Sequence, residues 1–377
     1  MTEKPRRILL ASGGTGGHFY PGLALANELR KKGGWEILFL VKKDDLAVGT
    51  LAEQNYPYAE TDMIFLPRSA NPLAHAAFLW KLLRSVFLCL KILKDFKPVL
   101  VFGAGSYVSF PAVLAAALKG LPSLIHESNA KFGLANRLCA MFASKTALGL
   151  PVENNPFNAK SELTGTPIRD SFAIRPDGPA MMKKFGLKDG APVMLVFGGS
   201  QGAKRINRAA ANAVKTLNKK NIAFQAVHVT GKKDNLETLA LYSRLGLEKA
   251  PFLRVLDYYE DINELYSVCD LVFCRSGAGT VAELLHLKKP AVLIPFPSSA
   301  GGHQLRNAKV LSDAGAAMLL EESPAFEERF LETAEELLKA PATLAEMKNN
   351  FSRLDLPGSM RAAANISAAI EKLVSKQ

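Results

Sequence analysis

Short apolar runs alternate with helical stretches along the whole chain. The runs are unbroken and rich in Leu, Ile and Val, which is typical of strands buried on both faces of a parallel sheet. Their alternation with helices predicts an α/β fold built from doubly wound parallel sheets. The predicted strands are Ile8–Ala11, Glu36–Val41, Val99–Phe102, Ser123–His126, Val193–Phe197, Ala223–Val229, Leu271–Cys274 and Ala291–Ile294.

Two glycine-rich turns divide this pattern into halves. Each half opens with a strand and a glycine turn, at Ser12–His18 in the first and at Phe197–Ala203 in the second. The segment Leu150–Arg169 between them is polar and rich in chain-breaking residues, as linkers are. We therefore predict two Rossmann-like domains facing a cleft, and the length of 377 residues, about twice a typical domain, agrees. The predicted domains are 1–165 and 166–358, with a last helix at about 359–377 that packs on the first.

The first glycine turn, Ser12–His18, lies between a strand and a helix. Glycines let backbone N–H groups approach an anion or a sugar closely, and a helix N-terminus adds partial positive charge. A dinucleotide-binding turn is excluded because, counting from Gly14, its third glycine is replaced by Phe19. The lysine-containing phosphate loop of nucleotide hydrolases is missing as well. The turn therefore serves another ligand, and His18 lies at its mouth as a candidate base or hydrogen-bond donor.

Composition narrows the classes of function. The net charge is +12, but no helix-turn-helix, zinc or aromatic-stacking motif indicates nucleic acid, so an anionic substrate or membrane surface is the expected partner. The four cysteines lack C-x-x-C spacing and have apolar neighbours, which predicts buried free thiols in a reducing compartment. Only four apolar residues follow the basic start of the chain, too few for a signal-peptide core, so we expect a cytoplasmic protein.

The stretch from Leu73 to Lys97 combines apolar and basic residues at helical spacing. One predicted face carries Leu79, Leu82, Leu83, Val86, Leu90 and Leu93. Basic residues, including Lys81, Arg84 and Lys91, leave no uncharged run of the ~18 residues that a membrane-spanning helix needs. An interfacial helix on an anionic membrane and an ordinary surface helix covering the sheet both fit this pattern.

Further polar clusters follow other predicted strands. Loops at the carboxyl ends of parallel strands are where open α/β sheets bind ligands. These clusters are Gly103–Tyr107, His126–Asn129, Arg275–Glu283 and Pro295–Pro297 with His303–Asn307.

Six motifs occur in order between residue 8 and about residue 316. They are Gly13–His18 with Pro21, His126-Glu127-x-Asn129, Gly165-x-Pro167-x-Arg169, Gly198–Ala203, Arg275-x-Gly277-Ala278 with Glu283, and Gln304-x-x-Asn307. Together they resemble the MurG family, the bacterial N-acetylglucosaminyltransferases that act on undecaprenyl-pyrophosphoryl-N-acetylmuramoyl-pentapeptide (lipid I). Each motif alone is weak, but the ordered set is highly specific. The resemblance implies the two-domain GT-B fold, no cofactor and no catalytic metal.

The resemblance also implies a donor site for UDP-N-acetylglucosamine in the second domain. Helix-end amides and Arg169 would bind the diphosphate and stabilise the leaving UDP. Glu283 would accept hydrogen bonds from the ribose hydroxyls, the backbone near Tyr259 would contact the uracil, and Gln304 and Asn307 would bind sugar hydroxyls. Ser200 and the amides around it would hold the diphosphate together with the turn Ser276–Gly279, and Ala278, Gly279 and Thr280 are expected to bind substrate.

On the acceptor side, the resemblance implies attack by a lipid I hydroxyl with inversion to a β-1,4 link. His18 is the preferred base, because its ordinary pKa lies near neutrality, or it orients the acceptor diphosphate. Glu127 is the competing base, and a buried ion-pair role for it fits equally well. The turn residues Thr15, Gly16 and Gly17 would face the acceptor or the donor sugar, and Asn129 would bind a sugar hydroxyl.

A membrane-bound acceptor favours the interfacial reading of the Leu73–Lys97 stretch. We expect the first domain to dock on the cytoplasmic face of the cell membrane, and other cell-wall synthesis and division proteins are further expected partners. The expected membrane contacts are Leu79, Trp80, Lys81, Leu83 and Arg84.

The chain departs from the family pattern at four positions. Ser106, Ser128 and Thr166 replace the family's usual Gly, Gln and Asn, and Phe110 replaces a small residue. Ser106 lies on the acceptor side, so donor binding should be unaffected while the acceptor contacts differ. Three alternative functions stay open: another GT-B transferase that uses a UDP-sugar and a glycolipid, a UDP-sugar epimerase, and a non-enzymatic nucleotide-sugar-binding scaffold.

Overall fold

The structure, a computed structural model, describes residues 5–14, 16–45, 47–63, 67, 71–199 and 201–375. The chain divides into two compact units. Unit 1 comprises Met1–Arg169 and Leu356–Gln377, and unit 2 comprises Asp170–Asp355.

Unit 1 is built on one parallel sheet. Among the described residues, seven strands pair in the order β3-β2-β1-β4-β5-β6-β7. The stretches Ile8–Ala11 and Leu100–Phe102 in its central strands are apolar and buried, because helices cover both faces of the sheet. The strands are β1 (Arg6–Ala11), β2 (Trp35–Lys42), β3 (Tyr58–Thr61), β4 (Leu100–Gly103), β5 (Ser123–Glu127), β6 (Lys145–Leu148) and β7 (Ser161–Leu163).

Helices complete unit 1 from both ends of the chain. Five of them follow strands of the sheet: α1 (Gly16–Lys32), α2 (Ala47–Glu53), α3 (Pro72–Phe96), α4 (Ser106–Leu118) and α5 (Leu134–Phe142). The last helix, Ala362–Val374, buries Ile366, Ala369 and Ile370 in the same core cluster as Leu25 and Leu29 of α1. A segment from the end of the chain is therefore part of the core of unit 1.

Unit 2 repeats this architecture. Six described strands pair in parallel in the order β10-β9-β8-β11-β12-β13. They are β8 (Val193–Phe197), β9 (Gln225–Val229), β10 (Leu253–Leu256), β11 (Leu271–Cys274), β12 (Ala291–Leu293) and β13 (Ala317–Leu319). The helices are α6 (Gly178–Lys184), α7 (Lys204–Lys219), α8 (Asn235–Arg244), α9 (Ile262–Val268), α10 (Ala278–Leu287), α11 (His303–Ser312), α12 (Phe326–Lys339) and α13 (Pro341–Asn350), so the last helix of unit 1 is α14.

The predicted α/β class with two doubly wound parallel sheets is confirmed, but five of the described strands, β3, β6, β7, β10 and β13, were not predicted. The segment Leu150–Arg169, predicted as a linker, contains the edge strand β7, which pairs with β6 through Thr146 and Ser161. This strand was missed because it is short and polar, and it is stabilised by pairing with a neighbour rather than by burial of its own side chains.

A buried polar network joins three elements of unit 2. The His228 ring on β9 bonds the Tyr242 hydroxyl at 2.8 Å through Nδ1 and Asn207 Oδ1 at 3.0 Å through Nε2. Asn207 Nδ2 in turn donates to the Thr230 carbonyl at 2.9 Å. Since that bond orients the Asn207 amide, Nε2 of His228 carries the hydrogen and Nδ1 accepts from the tyrosine. Burial lowers the pKa of His228 to about 3, so the network is neutral.

Candidate active site

The glycine turn of unit 1 is held by a carboxylate that follows the neighbouring strand. Asp45 Oδ2 accepts a 2.6 Å hydrogen bond from the Gly14 N–H. Gly14 has a φ of +91°, a backbone conformation that favours glycine. Gly16 and Gly17 are exposed in the first turn of α1, whereas Thr15 lies outside the described residues. Asp45 was missed from sequence because only the fold brings the end of β2 beside the turn after β1.

His18 is held against the backbone that follows β4. Its Nδ1 lies 3.2 Å from the Ala104 carbonyl oxygen, which can only accept a hydrogen bond. Nδ1 therefore carries the hydrogen and Nε2 keeps a basic lone pair. The ring packs closely on Gly105, where a Cβ would lie 2.5 Å from Nδ1. This arrangement selects the tautomer that a general base at Nε2 needs.

Glu127 organises the loop that follows β5. It is buried, and its Oε1 accepts 2.9 Å hydrogen bonds from both the backbone and the side-chain N–H of Asn129. Its Oε2 accepts from the Gly133 N–H at 2.9 Å and from Asn136 Nδ2 at 3.0 Å. Both carboxylate oxygens are thus engaged in holding residues 129–136. The alternative role of Glu127 as a base stays a prediction.

The neighbouring His126 ties β5 to the segment predicted as a linker. It is fully buried, with Nε2 3.1 Å from the Gly165 carbonyl and Nδ1 3.2 Å from Ser128 Oγ. Burial lowers the pKa of His126 to about 4, so the ring is neutral near pH 7. Further along this segment, the Arg169 guanidinium lies over the Tyr20 ring, 5.7 Å from its centroid.

In unit 2, the glycine turn after β8 packs against the loop after β9. Gly202 has a φ of +91°, and a Cβ there would lie 2.6 Å from the Thr230 carbonyl oxygen and 2.5 Å from Asp234 Oδ2. A Cβ on Gly231 would overlap the backbone of Gly202. The turn leads directly into α7. Ser200 lies outside the described residues.

The loop that follows β11 is held in place by hydrogen bonds to α11. Ser276 Oγ donates to the Gln304 carbonyl at 2.8 Å, and Asn307 Nδ2 donates to the Ser276 carbonyl at 3.1 Å. Gln304 Oε1 also accepts a 2.9 Å bond from the Phe296 N–H, which follows β12. The turn then enters α10 at Ala278, with Gly279 and Thr280 in the first helical turn. This first turn presents N–H groups and the positive end of the helix dipole, which suits an anion.

Two further residues that the sequence predicts for the donor site, Glu283 and Tyr259, lie in unit 2. Glu283, in the second turn of α10, accepts a 3.2 Å bond from the buried Tyr266 hydroxyl. Tyr259, which follows β10, donates its hydroxyl to Glu264, and its ring meets that of Phe185 edge-on at 5.5 Å. The strands of unit 2 are parallel, so the loops after β8, β10, β11 and β12 lie along one edge of its sheet.

Helix α3 exposes apolar side chains instead of burying them. Its buried residues are Ser85, Val86, Cys89 and Leu93, all in its second half, whereas Leu79 and Leu83 of the predicted apolar face are exposed. We call the outward residues Leu73, Leu79, Trp80, Leu83 and Phe87, which are 46–77% exposed, the α3 apolar surface. Lys81 and Arg84 are interspersed with them. Within the described ranges, no helix is long and apolar enough to cross a bilayer.

Comparison with known proteins identifies the family. Residues 8–148 match the Glycosyltransferase family 28 N-terminal domain and residues 193–364 its C-terminal domain. The chain is 41% identical, over 98% of its length and all of the relative's, to the UDP-N-acetylglucosamine--N-acetylmuramyl-(pentapeptide) pyrophosphoryl-undecaprenol N-acetylglucosamine transferase of Elusimicrobium minutum. The protein of that name from Halothermothrix orenii is 36% identical over 96% of this chain and 98% of its own. The chain belongs to the MurG family.

A solved MurG structure agrees with this assignment. The crystal structure of Acinetobacter baumannii MurG is 29% identical, covers 98% of this chain and all of its own, and superimposes with a TM-score of 0.78. The family resemblance inferred from the six motifs is therefore confirmed, and so is the GT-B fold. In the part of the chain that the structure describes, no group of three or more His, Cys, Asp or Glu side chains is arranged to hold a metal ion.

Proposed function

We propose that this MurG-family enzyme transfers N-acetylglucosamine from UDP-N-acetylglucosamine to the muramoyl C4 hydroxyl of lipid I, giving lipid II for peptidoglycan synthesis. The observation that carries this proposal is the 41% identity over 98% of the chain to a transferase of that specificity. A match of this extent includes the residues of both units. It favours a transferase over the epimerase and the binding scaffold.

On the acceptor side, His18 Nε2 takes the proton from the attacking hydroxyl. The hydrogen bond from Nδ1 to the Ala104 carbonyl supports this role, because it leaves the lone pair on Nε2 and stabilises the imidazolium that forms. Glu127 orders the loop that carries Asn129, which binds an acceptor hydroxyl. Thr15, Gly16 and Gly17 of the glycine turn are proposed contacts of the acceptor or of the donor sugar.

On the donor side, amides at the starts of α7 and α10 bind the diphosphate and stabilise the leaving UDP. Ser200, Ala278, Gly279 and Thr280 are the proposed contacts, and Arg169 is a proposed phosphate ligand. Glu283 binds the ribose, and the backbone at Tyr259 contacts the uracil. Because Oε1 of Gln304 is engaged by Phe296, its Nε2 donates to the sugar. Asn307 is buried against Ser276, so we infer that it acts on the sugar through the turn.

The α3 apolar surface docks on the cytoplasmic face of the cell membrane, where lipid I is found. Leu79, Trp80 and Leu83 insert among the lipids, while Lys81 and Arg84 meet anionic headgroups. Co-sedimentation with anionic liposomes tests this. Reversing both charges, with Lys81→Glu and Arg84→Glu, should reduce binding, whereas Lys215→Glu with Lys219→Glu on α7 should not. Equal binding by both double variants would refute the docking proposal.

The deciding experiment measures UDP release from UDP-N-acetylglucosamine by the purified protein, with and without a lipid I analogue. Release that depends on the acceptor and yields a disaccharide lipid supports the proposal. Tight UDP binding without turnover for any glycolipid acceptor would favour the scaffold. His18→Ala should lower kcat about 10²–10⁴-fold with little change in UDP affinity, as expected for a general base. Glu283→Ala should mainly weaken UDP binding, and equal effects of the two variants on donor affinity alone would remove the role assigned to His18.

A further inference from the structure

A buried carboxylate lies among the loops that follow the strands of unit 2. Glu322 comes just after β13, and its side chain is only 8% exposed. Two arginines from different loops reach it, Arg275 from the end of β11 and Arg205 from the start of α7. Glu322 lies in none of the six sequence motifs and has no role in the candidate site described above.

Arg275 links the carboxylate to two loops at once. Its Nη1 lies 2.6 Å from Glu322 Oε1 and donates to the Ile294 and Pro295 carbonyls, both at 3.2 Å. Its guanidinium lies 5.3 Å from the centroid of the Phe296 ring. Arg275 directly precedes the turn that enters α10. Its contacts therefore fix the start of that turn against the end of β12.

Arg205 links the same carboxylate to the glycine turn Gly198–Ala203. It lies two residues after that turn, in the first turn of α7, and its Nη1 is 3.5 Å from Glu322 Oε2. It also donates to the Ser323 carbonyl, and its guanidinium lies 5.3 Å from the Phe326 ring centroid. The two oxygens of Glu322 thus join the helix that follows the glycine turn to the loop that leads into α10.

The energetics of this cluster favour a role other than stability. Removing a carboxylate and a guanidinium from water costs free energy that their attraction only partly returns, so a buried ion pair is weak evidence for a stabilising contact. Burial lowers the pKa of Arg275, and the negative charge of Glu322 opposes that shift. The fixed geometry of this cluster is therefore better explained by a role in positioning the loops than by a gain in stability.

We propose that Glu322 is a positioning residue of the donor site, which sets the spacing between the helix N-termini of α7 and α10 by holding Arg205 and Arg275 together. This inference rests on the proposed function, because the diphosphate of UDP-N-acetylglucosamine is the group that these two N-termini bind. Glu322 itself does not contact the nucleotide. Its loss separates two sets of N–H donors that must converge on one diphosphate.

The test compares the affinities of full-length variants for UDP and for uridine, each measured by competition against the donor. Glu322→Gln keeps the shape of the side chain and removes its charge. Glu322→Leu combined with Arg275→Met replaces the pair with apolar groups of similar volume, which the fold should tolerate. The control is Glu327→Gln, whose carboxylate joins Arg208 and Asn212 of α7 to α12 away from these loops.

Both Glu322 variants should weaken UDP binding about tenfold and raise the KM for UDP-N-acetylglucosamine in step, while uridine affinity changes little. Glu322→Gln leaves the buried Arg275 without its charged partner and should lower the melting temperature, whereas the double variant should keep it near the wild-type value. A general disturbance of the fold would weaken uridine as much as UDP. Unchanged UDP affinity in a folded Glu322→Gln or double variant, or an equal loss in Glu327→Gln, overturns the inference. If the wild-type protein binds no UDP, the proposed function fails instead.

Discussion

Gly202 is the residue of unit 2 whose replacement has the most calculable consequence. In Gly202→Ala, the new Cβ would lie 2.6 Å from the Thr230 carbonyl oxygen and 2.5 Å from Asp234 Oδ2. Ordinary contact needs about 3.5 Å, so the two loops must separate by roughly 1 Å. The Thr230 carbonyl already accepts a bond from Asn207, which ties it to α7. The backbone therefore cannot yield without disturbing the glycine turn.

Two terms contribute to the cost of this substitution. A φ of +91° is unfavourable for alanine by about 1–2 kcal/mol. Overpacking against backbone adds about 1–3 kcal/mol. Gly202→Ala should therefore lower the free energy of unfolding by about 2–5 kcal/mol. Gly246→Ala separates the two terms, because Gly246 has a φ of +72° but a Cβ there meets nothing within 4 Å. In that control the free energy of unfolding should fall only by the cost of the strained φ, about 1–2 kcal/mol.

Urea unfolding of the two variants at pH 7.5 gives both free energies, and UDP titration reports whether the turn has moved. We expect Gly202→Ala to lose stability and UDP affinity together, and Gly246→Ala to keep its UDP affinity. If the free energy of unfolding falls equally in the two variants, the strained φ alone accounts for the destabilisation. The close packing described for the turn would then have no energetic consequence.

Three further predictions follow from buried or strained groups. The pKa of His228 is about 3 when folded and near 6.5 when unfolded, so its contribution to stability is complete above pH 6.5 and falls by about 1.4 kcal/mol per pH unit below it. Urea unfolding measured from pH 7.5 to 4 should therefore show a free energy of unfolding that decreases more steeply with falling pH in the wild type than in His228→Gln. Ser106 has a φ of +65°, so Ser106→Gly should raise the melting temperature slightly, and a decrease would contradict the strain. All four cysteines are buried, and burial raises the pKa of Cys269 to about 11, so a thiol reagent should label them only after denaturation.

The central strands were predictable because their own sequences contain the signal. The strands β8 and β11 are uniformly apolar, and β1 is apolar after its first two residues, as strands covered on both faces must be. The edge strands β3 and β7 have polar or half-buried residues and form through pairing with a neighbour, so no local pattern predicts them. The spacing within α3 was readable from the sequence, but how much of its apolar surface is covered depends on tertiary packing, so the sequence left the interfacial and the surface-helix interpretations open.

Some residues of the candidate site could be predicted from the sequence and others could not. His18 and Glu283 were found because each stands within a motif at a strand end, where the sequence supplies the context. Asp45 and Glu322 lie in no such motif, and each acts on a loop that is distant in the chain. Their partners become visible only when the sheet brings the ends of its strands together. Supporting residues of this kind are what single-sequence reasoning lacks.

The packing of α14 on α1 sets the order in which the molecule can be completed on the ribosome. Unit 2 is one continuous segment, whereas unit 1 lacks Ile366, Ala369 and Ile370 until the residues that follow unit 2 have been made. About 200 residues separate Arg169 from that helix, which is about 10–40 s of synthesis at ordinary rates. During this time the core cluster that includes Leu25 and Leu29 of α1 lacks the apolar side chains of α14. The unit that carries the proposed membrane surface therefore reaches its final form only after unit 2 has been made.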